Sequence, residues 1–141
     1  MTTRTERGSA ALEAAIGVPA FVLFLGLIIV AGRIAVASQA VDAVATEAAR
    51  TASIARTEAA ATRTAGDAAT ASLATQGLRC ATTTVDVDTR GFRAPVGTPA
   101  AVTATITCTV PLGDIAIPGL PGTTTVTGTA TSPIDTYRAR T

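Results

Sequence analysis

The sequence has 141 residues, the size of one modest domain. Only 15% of them are charged, against about 25% in a typical soluble domain, and neither histidine nor lysine occurs. This composition excludes a histidine general base, an imidazole metal site and a lysine Schiff base, and the net charge of +1 argues against nucleic-acid binding. We therefore expect no enzyme, no cofactor, no metal site and no small-molecule substrate.

A long apolar run lies near the N-terminus. The 19 residues from Ala14 to Gly32 carry no charge and are bounded by Glu13 and Arg33. As a helix this run would span about 28 Å, which is close to the roughly 30 Å hydrocarbon thickness of a bilayer. The run also lacks the polar face of a soluble core helix. It therefore predicts a membrane-inserting helix.

Two interpretations of this run need no special motif. Cleavage by signal peptidase after Ala37, before Ser38, would release a soluble secreted binding module. Alternatively, the run anchors a single-pass surface protein unrelated to pili. In the anchored case, Arg4 and Arg7 keep the leader cytoplasmic, so the C-terminal part lies outside the membrane.

A third interpretation uses the residues just before the run. Residues 7–13 read RGSAALE, a basic residue and a glycine followed by four uncharged residues and one acid. This pattern resembles the class III signal of type IV pilins and pseudopilins. The resemblance implies that prepilin peptidase cleaves after Gly8, makes Ser9 the new N-terminus and leaves the apolar helix in place. It also gives Glu13 the role of the characteristic acid.

Within that group, the segment from Glu6 to Pro19 is similar to TadE-like proteins of the tight-adherence (Tad/Flp) pilus system. The resemblance implies a minor pilin or pseudopilin that supports pilus assembly, and hence secretion and adhesion. Its partners would be the lipid bilayer, prepilin peptidase, other pilin or pseudopilin subunits and the Tad assembly machinery. Ala14 after the acid and the length of the chain favour this minor branch over the small major pilins.

The charged side chain of Glu13 costs free energy at the edge of an apolar helix, which indicates a functional role. Cleavage would create an α-ammonium group at Ser9 that could pair with Glu13 of the same helix, one turn away. Pairing between neighbouring subunits would offset their helices by about 6 Å. The family uses that pairing to recruit and register subunits. The alternative is a solvated side chain at the membrane interface.

Pro19 lies inside the apolar run and removes one helical hydrogen bond. It predicts a kink in the membrane helix. The kink is either a bend used for packing in an assembly or an incidental feature.

The Ala-rich stretch that follows predicts continuation of the helix to about Thr75, with Gly66 as its weak point and Gly77 as its C-cap. Small apolar residues recur at helical spacing along one side of this stretch. We expect that side to pack against the C-terminal part of the chain, a neighbouring subunit, or both.

Beyond Gly77 the pattern changes to period two, with many threonines and valines. It predicts strands at Thr82–Thr89, Ala100–Val110 and Thr123–Thr131. In the second strand, alternate residues from Val102 to Val110 form a buried face, and the threonines between them form a wet face.

Cys80 and Cys108 are the two cysteines of the chain. Outside the membrane such a pair is normally oxidised. We predict a disulfide that closes a loop of about 28 residues and contributes about 3.6 kcal/mol in the chain-entropy model.

The predicted fold class is α+β: a long N-terminal transmembrane and stalk helix, with a small antiparallel three-stranded sheet packed on its distal part, like a type IV pilin. The predicted organisation has four parts: a cytoplasmic leader (1–8), a transmembrane helix (9–33), an Ala-rich extracytoplasmic helical stalk (34–76) and a disulfide-closed β domain (77–141).

Overall fold

The computed structural model describes residues 6–113 and 122–139, with side chains from residue 13 onward. Its elements are helices α1 and α2, strand β1, a short 3-10 helix, and strands β2 and β3. In chain order they span Glu6–Ser53, Glu58–Thr75, Thr82–Asp88, Arg90–Arg93, Ala100–Pro111 and Thr123–Ile134. The fold is α+β, as the sequence predicts. Residues 1–5 of the predicted leader lie outside the described residues.

Helix α1 ends at Ser53, so the expectation of one unbroken helix to about Thr75 is wrong. No glycine or proline marks the break. Instead, bonds from the distant C-terminal part hold the end of the helix. The hydroxyl of Ser132 donates to the hydroxyl of Ser53 at 3.0 Å, and the guanidinium of Arg138 donates to the carbonyl of Ile54. The bond from Arg138 satisfies a backbone carbonyl that the end of a helix leaves free.

Helix α2 has a defined signal at each end. The hydroxyl of Thr57 accepts a hydrogen bond from the Ala60 N–H at 3.1 Å, which caps the N-terminus. At the C-terminal end Gly77 has a φ of +65°, and the N–H of Leu78 donates to the carbonyl of Leu73 at 3.2 Å. This is a Schellman motif. Gly77 therefore ends the helix where the sequence predicts an end.

The three strands form one antiparallel sheet in the order β1-β2-β3. The register can be fixed at Ile106 in the central strand β2, which pairs with Val85 of β1 on one side and with Gly128 of β3 on the other. The observed strands closely match the predicted ones, and β3 extends further, to Ile134. Alternation along β2 separates two faces, as predicted. On the buried face lie Val102, Ala104, Ile106, Cys108 and Val110.

The outer face of the sheet carries rows of threonines. Three cross-strand hydroxyl pairs join β2 to β3, with oxygen–oxygen distances of 2.9, 3.3 and 3.4 Å. The pairs are Thr103–Thr131, Thr105–Thr129 and Thr107–Thr127. Such pairs stabilise a sheet modestly and leave its outer face polar.

The two helices form a layer on the inner face of the sheet. Helix α1 packs over β3 and β2, whereas α2 packs beside α1 and touches β1. Four residues of α2, spaced four apart, are buried in this layer: Ala61, Ala65, Ala69 and Leu73. The small side of the stalk therefore packs against the chain's own second helix and sheet. A helix hairpin on a sheet is a two-layer core.

Helix α1 crosses β3 at Gly128. A Cβ atom at this position would lie 2.7 Å from Asp42 Oδ1 and 2.9 Å from the backbone nitrogen of Asp42. Any side chain here would therefore push the helix away from the strand. Glycine is needed because the two backbones approach so closely.

The predicted disulfide is present between Cys80 and Cys108, whose Cα atoms lie 5.4 Å apart. Cys108 is fully buried in β2, and Cys80 lies in the segment that joins α2 to β1. The bond therefore ties the end of the helix layer to the central strand of the sheet.

Candidate membrane anchor and assembly site

The first half of α1 presents large apolar side chains to its surroundings. Phe21 and Ile29 are each 61% exposed, and the side chains between them are exposed to a similar degree. The helix is long and apolar enough to cross a membrane, and only 6% of its most apolar window is buried against the rest of the protein. A buried core helix passes the same test of length and composition but would be covered. This stretch is uncovered and is a candidate membrane anchor.

The change from exposed to covered occurs within two turns of α1. From residue 13 onward, Val30 is the first buried residue, Arg33 is the first charged residue after Glu13, and Ala37 is 2% exposed. From Ala37 onward the inner side of the helix is covered by α2 and the sheet. The folded domain therefore begins directly where the apolar run ends.

The residues predicted for processing and assembly lie in the first turns of α1. Gly8 and Ser9 are part of the helix, and Glu13 follows on an exposed side of it. Ser9 and Glu13 lie four residues apart, about 6 Å along the axis. The helix continues through Pro19, and the kink predicted there stays a prediction.

Residues 8–50 match the model of a protein family described as TadE-like protein. The segment is TadE-like. The match begins at Gly8, includes the whole apolar run and ends three residues before the end of α1. This confirms the resemblance inferred from the residues around Glu13. Neither the curated proteins nor the solved structures contain a match to the chain.

The TadE-like segment contains both the exposed apolar run and most of the surface on which the remainder of the chain folds. Its buried residues beyond the run are mostly alanines, together with Val41 and Val44, which are fully buried. α2 and the sheet lie outside the matched residues and pack on this surface. The chain therefore combines a TadE-like helix with a domain that covers its distal part.

Two exposed ion pairs lie at the end of the domain away from the apolar run. Arg93 Nε lies 3.0 Å from Glu58 Oε1, which ties the 3-10 helix to the start of α2 and raises the pKa of Arg93. Asp88 accepts hydrogen bonds from the side chain and the backbone N–H of Arg90, and these lower its pKa from 3.8 to about 2. Both pairs fix loop geometry at the surface, where such contacts contribute little stability.

The turn between α1 and α2 was not predicted from the sequence. One local signal for it exists, because Thr57 and Glu58 form an N-cap followed by an acid in the first helical turn. The other contacts at the turn, from Ser132 and Arg138, come from residues far along the chain. They leave no local pattern.

The structure describes residues 6–113 and 122–139, with side chains from residue 13 onward. Within these ranges, no three His, Cys, Asp or Glu side chains come close enough to hold a metal ion.

Proposed function

We propose that the chain is a membrane-anchored minor pilin or pseudopilin that supports assembly of a Tad/Flp-type pilus. The observation that carries this proposal is the TadE-like match, which runs from Gly8 through the exposed apolar half of α1. A long apolar helix joined to an extracytoplasmic domain is the arrangement expected of a pilin-like subunit. Prepilin peptidase would cleave after Gly8, and the mature chain would begin at Ser9.

The orientation in this proposal has two supports. Arg4 and Arg7 lie before the apolar run, where positive charge holds the flank in the cytoplasm. The disulfide lies on the other side of the run and belongs to an oxidising compartment. The domain of α2 and the sheet is therefore proposed to face outward.

The geometry of α1 disfavours release by signal peptidase after Ala37. Ala37 is 2% exposed and belongs to the core cluster of the domain. Cleavage there would cut α1 inside the part that packs on the domain and would separate Val30 and Ile34 from it. The bond after Gly8 lies far from the domain, so cleavage there leaves the core intact.

Mass analysis of the native protein tests the processing step. We expect membranes of the host to contain a chain that begins at Ser9 and keeps the apolar run. A Gly8→Val variant should accumulate with its leader attached. Gly17→Val is the matched control, because Gly17 lies in the same helix and a Cβ there meets nothing within 4 Å. A native chain that begins at Met1 or Thr2, or at Ser38, would contradict the proposal.

The role of Glu13 is tested separately. A Glu13→Gln variant keeps the size of the side chain but cannot form an ion pair with the new N-terminus. We expect normal cleavage, with loss of most incorporation into pili or into cross-linked subunit complexes. Glu47→Gln is the control, since Glu47 is an exposed acid of the same helix outside the apolar run. Wild-type incorporation of the Glu13 variant would remove this role.

A further inference from the structure

The exposed apolar side of α1 continues for one turn beyond the uncharged run. Val22, Ile29 and Val36 are 60%, 61% and 68% exposed. They are spaced seven residues apart, about two helical turns, so they lie on one side of the helix. From Ala14 to Val36 the helix rises about 34 Å, which is more than the roughly 30 Å hydrocarbon thickness of a bilayer. Val36 would therefore lie among the glycerol and headgroups of the lipid.

The folded domain begins inside this same stretch of α1. Val30 is 6% exposed although Ile29 beside it is 61% exposed, so protein already covers one side of the last turn of the uncharged run. The helix then continues without a break to Ser53. No linker therefore separates the apolar run from the domain and lifts the domain clear of a membrane.

Two other parts of the domain come to the level of Gly32 and Val36. A groove of about 760 Å³ lies there and is lined by these two residues, by the α2–β1 connection at 77–79, and by Val110 and Pro111. Pro111 is the last residue of β2 and is exposed. The end of the central strand thus lies beside the end of the uncharged run.

The lining of the groove has the composition of a membrane interface. Its apolar side chains are those of Val36, Ala37, Leu78, Val110 and Pro111. Its charged residues are Arg33 and Arg79, and the described lining contains no acid. Arginine near the end of a membrane helix is accommodated there, because its stem covers apolar surface while its head stays at the interface. Lipid is also the surrounding that continues directly from the exposed side of α1.

We propose that this end of the domain rests in the interface of the outer leaflet and that lipid fills the groove. The proposal rests on the proposed anchoring of α1 in the membrane. The glycerol and upper acyl chains would lie against Val36 and Pro111. The domain would thereby have its own contact with the bilayer, in addition to that of the helix, and would be held at a fixed height.

Tryptophan fluorescence measures the depth of each part separately, because the chain contains no tryptophan of its own. A single tryptophan is introduced into the full chain in phosphatidylcholine vesicles, as Phe24→Trp in the run, Pro111→Trp at the groove or Val96→Trp at the opposite end. Strand β2 runs from Ala100 to Pro111, so its ends are about 36 Å apart. Val96 lies just before the end that is away from the groove.

Phosphatidylcholine brominated in the upper part of its acyl chains quenches tryptophan that lies in contact with them. We expect Phe24→Trp and Pro111→Trp each to lose more than half of their emission. Val96→Trp should keep its emission. It is the matched control, because Val96 is an apolar side chain of the domain that is 56% exposed.

The other outcomes identify what fails. Quenching of Phe24→Trp without quenching of Pro111→Trp would overturn the proposal and leave the anchor standing. Absence of quenching in Phe24→Trp would contradict the anchor itself. Equal quenching of Pro111→Trp and Val96→Trp would show that the domain lies flat on the membrane, which also overturns the proposal.

A second copy in the groove is distinguished by concentration. It would give Pro111→Trp a blue-shifted, unquenched emission that depends on the ratio of protein to lipid, and this result would overturn the proposal. The intact disulfide and an unchanged circular dichroism spectrum establish that each variant is folded. Arg79→Trp, at an exposed position of the same groove, replaces Pro111→Trp if that variant does not fold.

Discussion

The two halves of α1 share one backbone conformation but differ in the size of their side chains. The membrane half, residues 14–32, presents exposed Leu, Ile, Val and Phe. In the domain half, residues 37–52, most of the buried side chains are alanines, four of them fully buried: Ala45, Ala48, Ala49 and Ala52. Large side chains occur where no protein covers the helix. Small ones occur where α2 and the sheet do.

This difference shows what each environment requires. A bilayer accepts large apolar side chains because lipid adapts to their shape, and their transfer from water is favourable. A packed protein interior leaves no such freedom, because side chains there fill space at nearly crystal density. Substitutions that disturb packing should therefore destabilise the domain half and leave the membrane half unaffected.

Removal of the disulfide should affect only the domain. For a Cys80→Ala/Cys108→Ala variant in detergent, we expect the free energy of unfolding of the domain to fall by about 3.6 kcal/mol, because a loop of about 28 residues is no longer closed. Urea titration followed by circular dichroism measures this loss. The helical signal of the membrane half should persist after the domain unfolds.

Reduction of the wild-type chain with dithiothreitol is the control for this variant and should shift the urea midpoint by the same amount. A loss below about 1 kcal/mol would show that pairing of β1 with β2 already restrains the unfolded loop.

Enlarging a buried alanine tests the size rule directly. Ala48 is 0% exposed, so Ala48→Leu adds three carbon atoms where no space exists. We expect a loss of about 3 kcal/mol in the same titration, at the upper end of typical overpacking costs. Ala43→Leu, on the exposed side of the same stretch, should change the free energy by less than about 0.5 kcal/mol.

Ala20→Leu makes the same substitution in the exposed membrane half and should leave domain stability unchanged. Equal losses for Ala48→Leu and Ala43→Leu would contradict the packing described for α1.

The sequence predicted the sheet better than the helices. The alternation of apolar residues and threonines from Val102 to Val110 was enough to assign a strand and its buried face. Successive side chains of a strand point to opposite faces, so every second residue lies on the same face. The small side of the stalk was also predicted. The sequence did not predict that α2 covers this side. A stripe of alanines at helical spacing can pack equally well against a helix, a sheet or another subunit.

The end of α1 has one local signal, the Thr57 N-cap and the acid Glu58 that begin α2, and its other contacts come from distant residues. The hydroxyl of Ser132 bonds to that of Ser53, which lies 79 residues earlier in the chain. Contacts of this kind follow from topology, which one sequence does not contain. Gly8, Ser9 and Glu13 were predicted from the resemblance to TadE-like proteins, and their roles stay predictions.

The contact between α1 and β3 is tested at Gly128. Gly128→Ala places a Cβ atom less than 3 Å from the backbone of Asp42, so the helix or the strand has to move. We expect a loss of about 2 kcal/mol from overpacking. Gly66→Ala is the matched control, because a Cβ atom at Gly66 meets nothing within 4 Å and alanine favours the helix. It should leave stability unchanged or raise it by up to ~1 kcal/mol.

Thermal unfolding of both glycine variants, followed by circular dichroism, measures the difference. A Gly128→Ala variant as stable as Gly66→Ala would show that α1 does not cross β3 closely.

The smallest expected effect is on the stability of the domain at acid pH. It distinguishes the two halves of α1 because they differ in ionisable side chains. The membrane half has no ionisable side chain between Glu13 and Arg33. A fall in pH therefore changes the charge of α1 only at residues outside this stretch. In the domain, hydrogen bonds from Arg90 lower the pKa of Asp88 from 3.8 to about 2. Because the folded-state pKa is the lower one, the stability that the carboxylate contributes is present above about pH 4 and is lost as the pH falls toward 2.

Asp88→Asn should therefore reduce the decline in domain stability between pH 4 and pH 2, measured by urea titration at each pH. Arg90→Gln should reduce it equally, because it removes the partner that lowers the pKa. The pair lies at the protein surface, so the change in slope should be small. An unaltered decline in both variants would mean that the pair does not persist in solution. Acid unfolding of the domain would then have to arise from its other carboxylates.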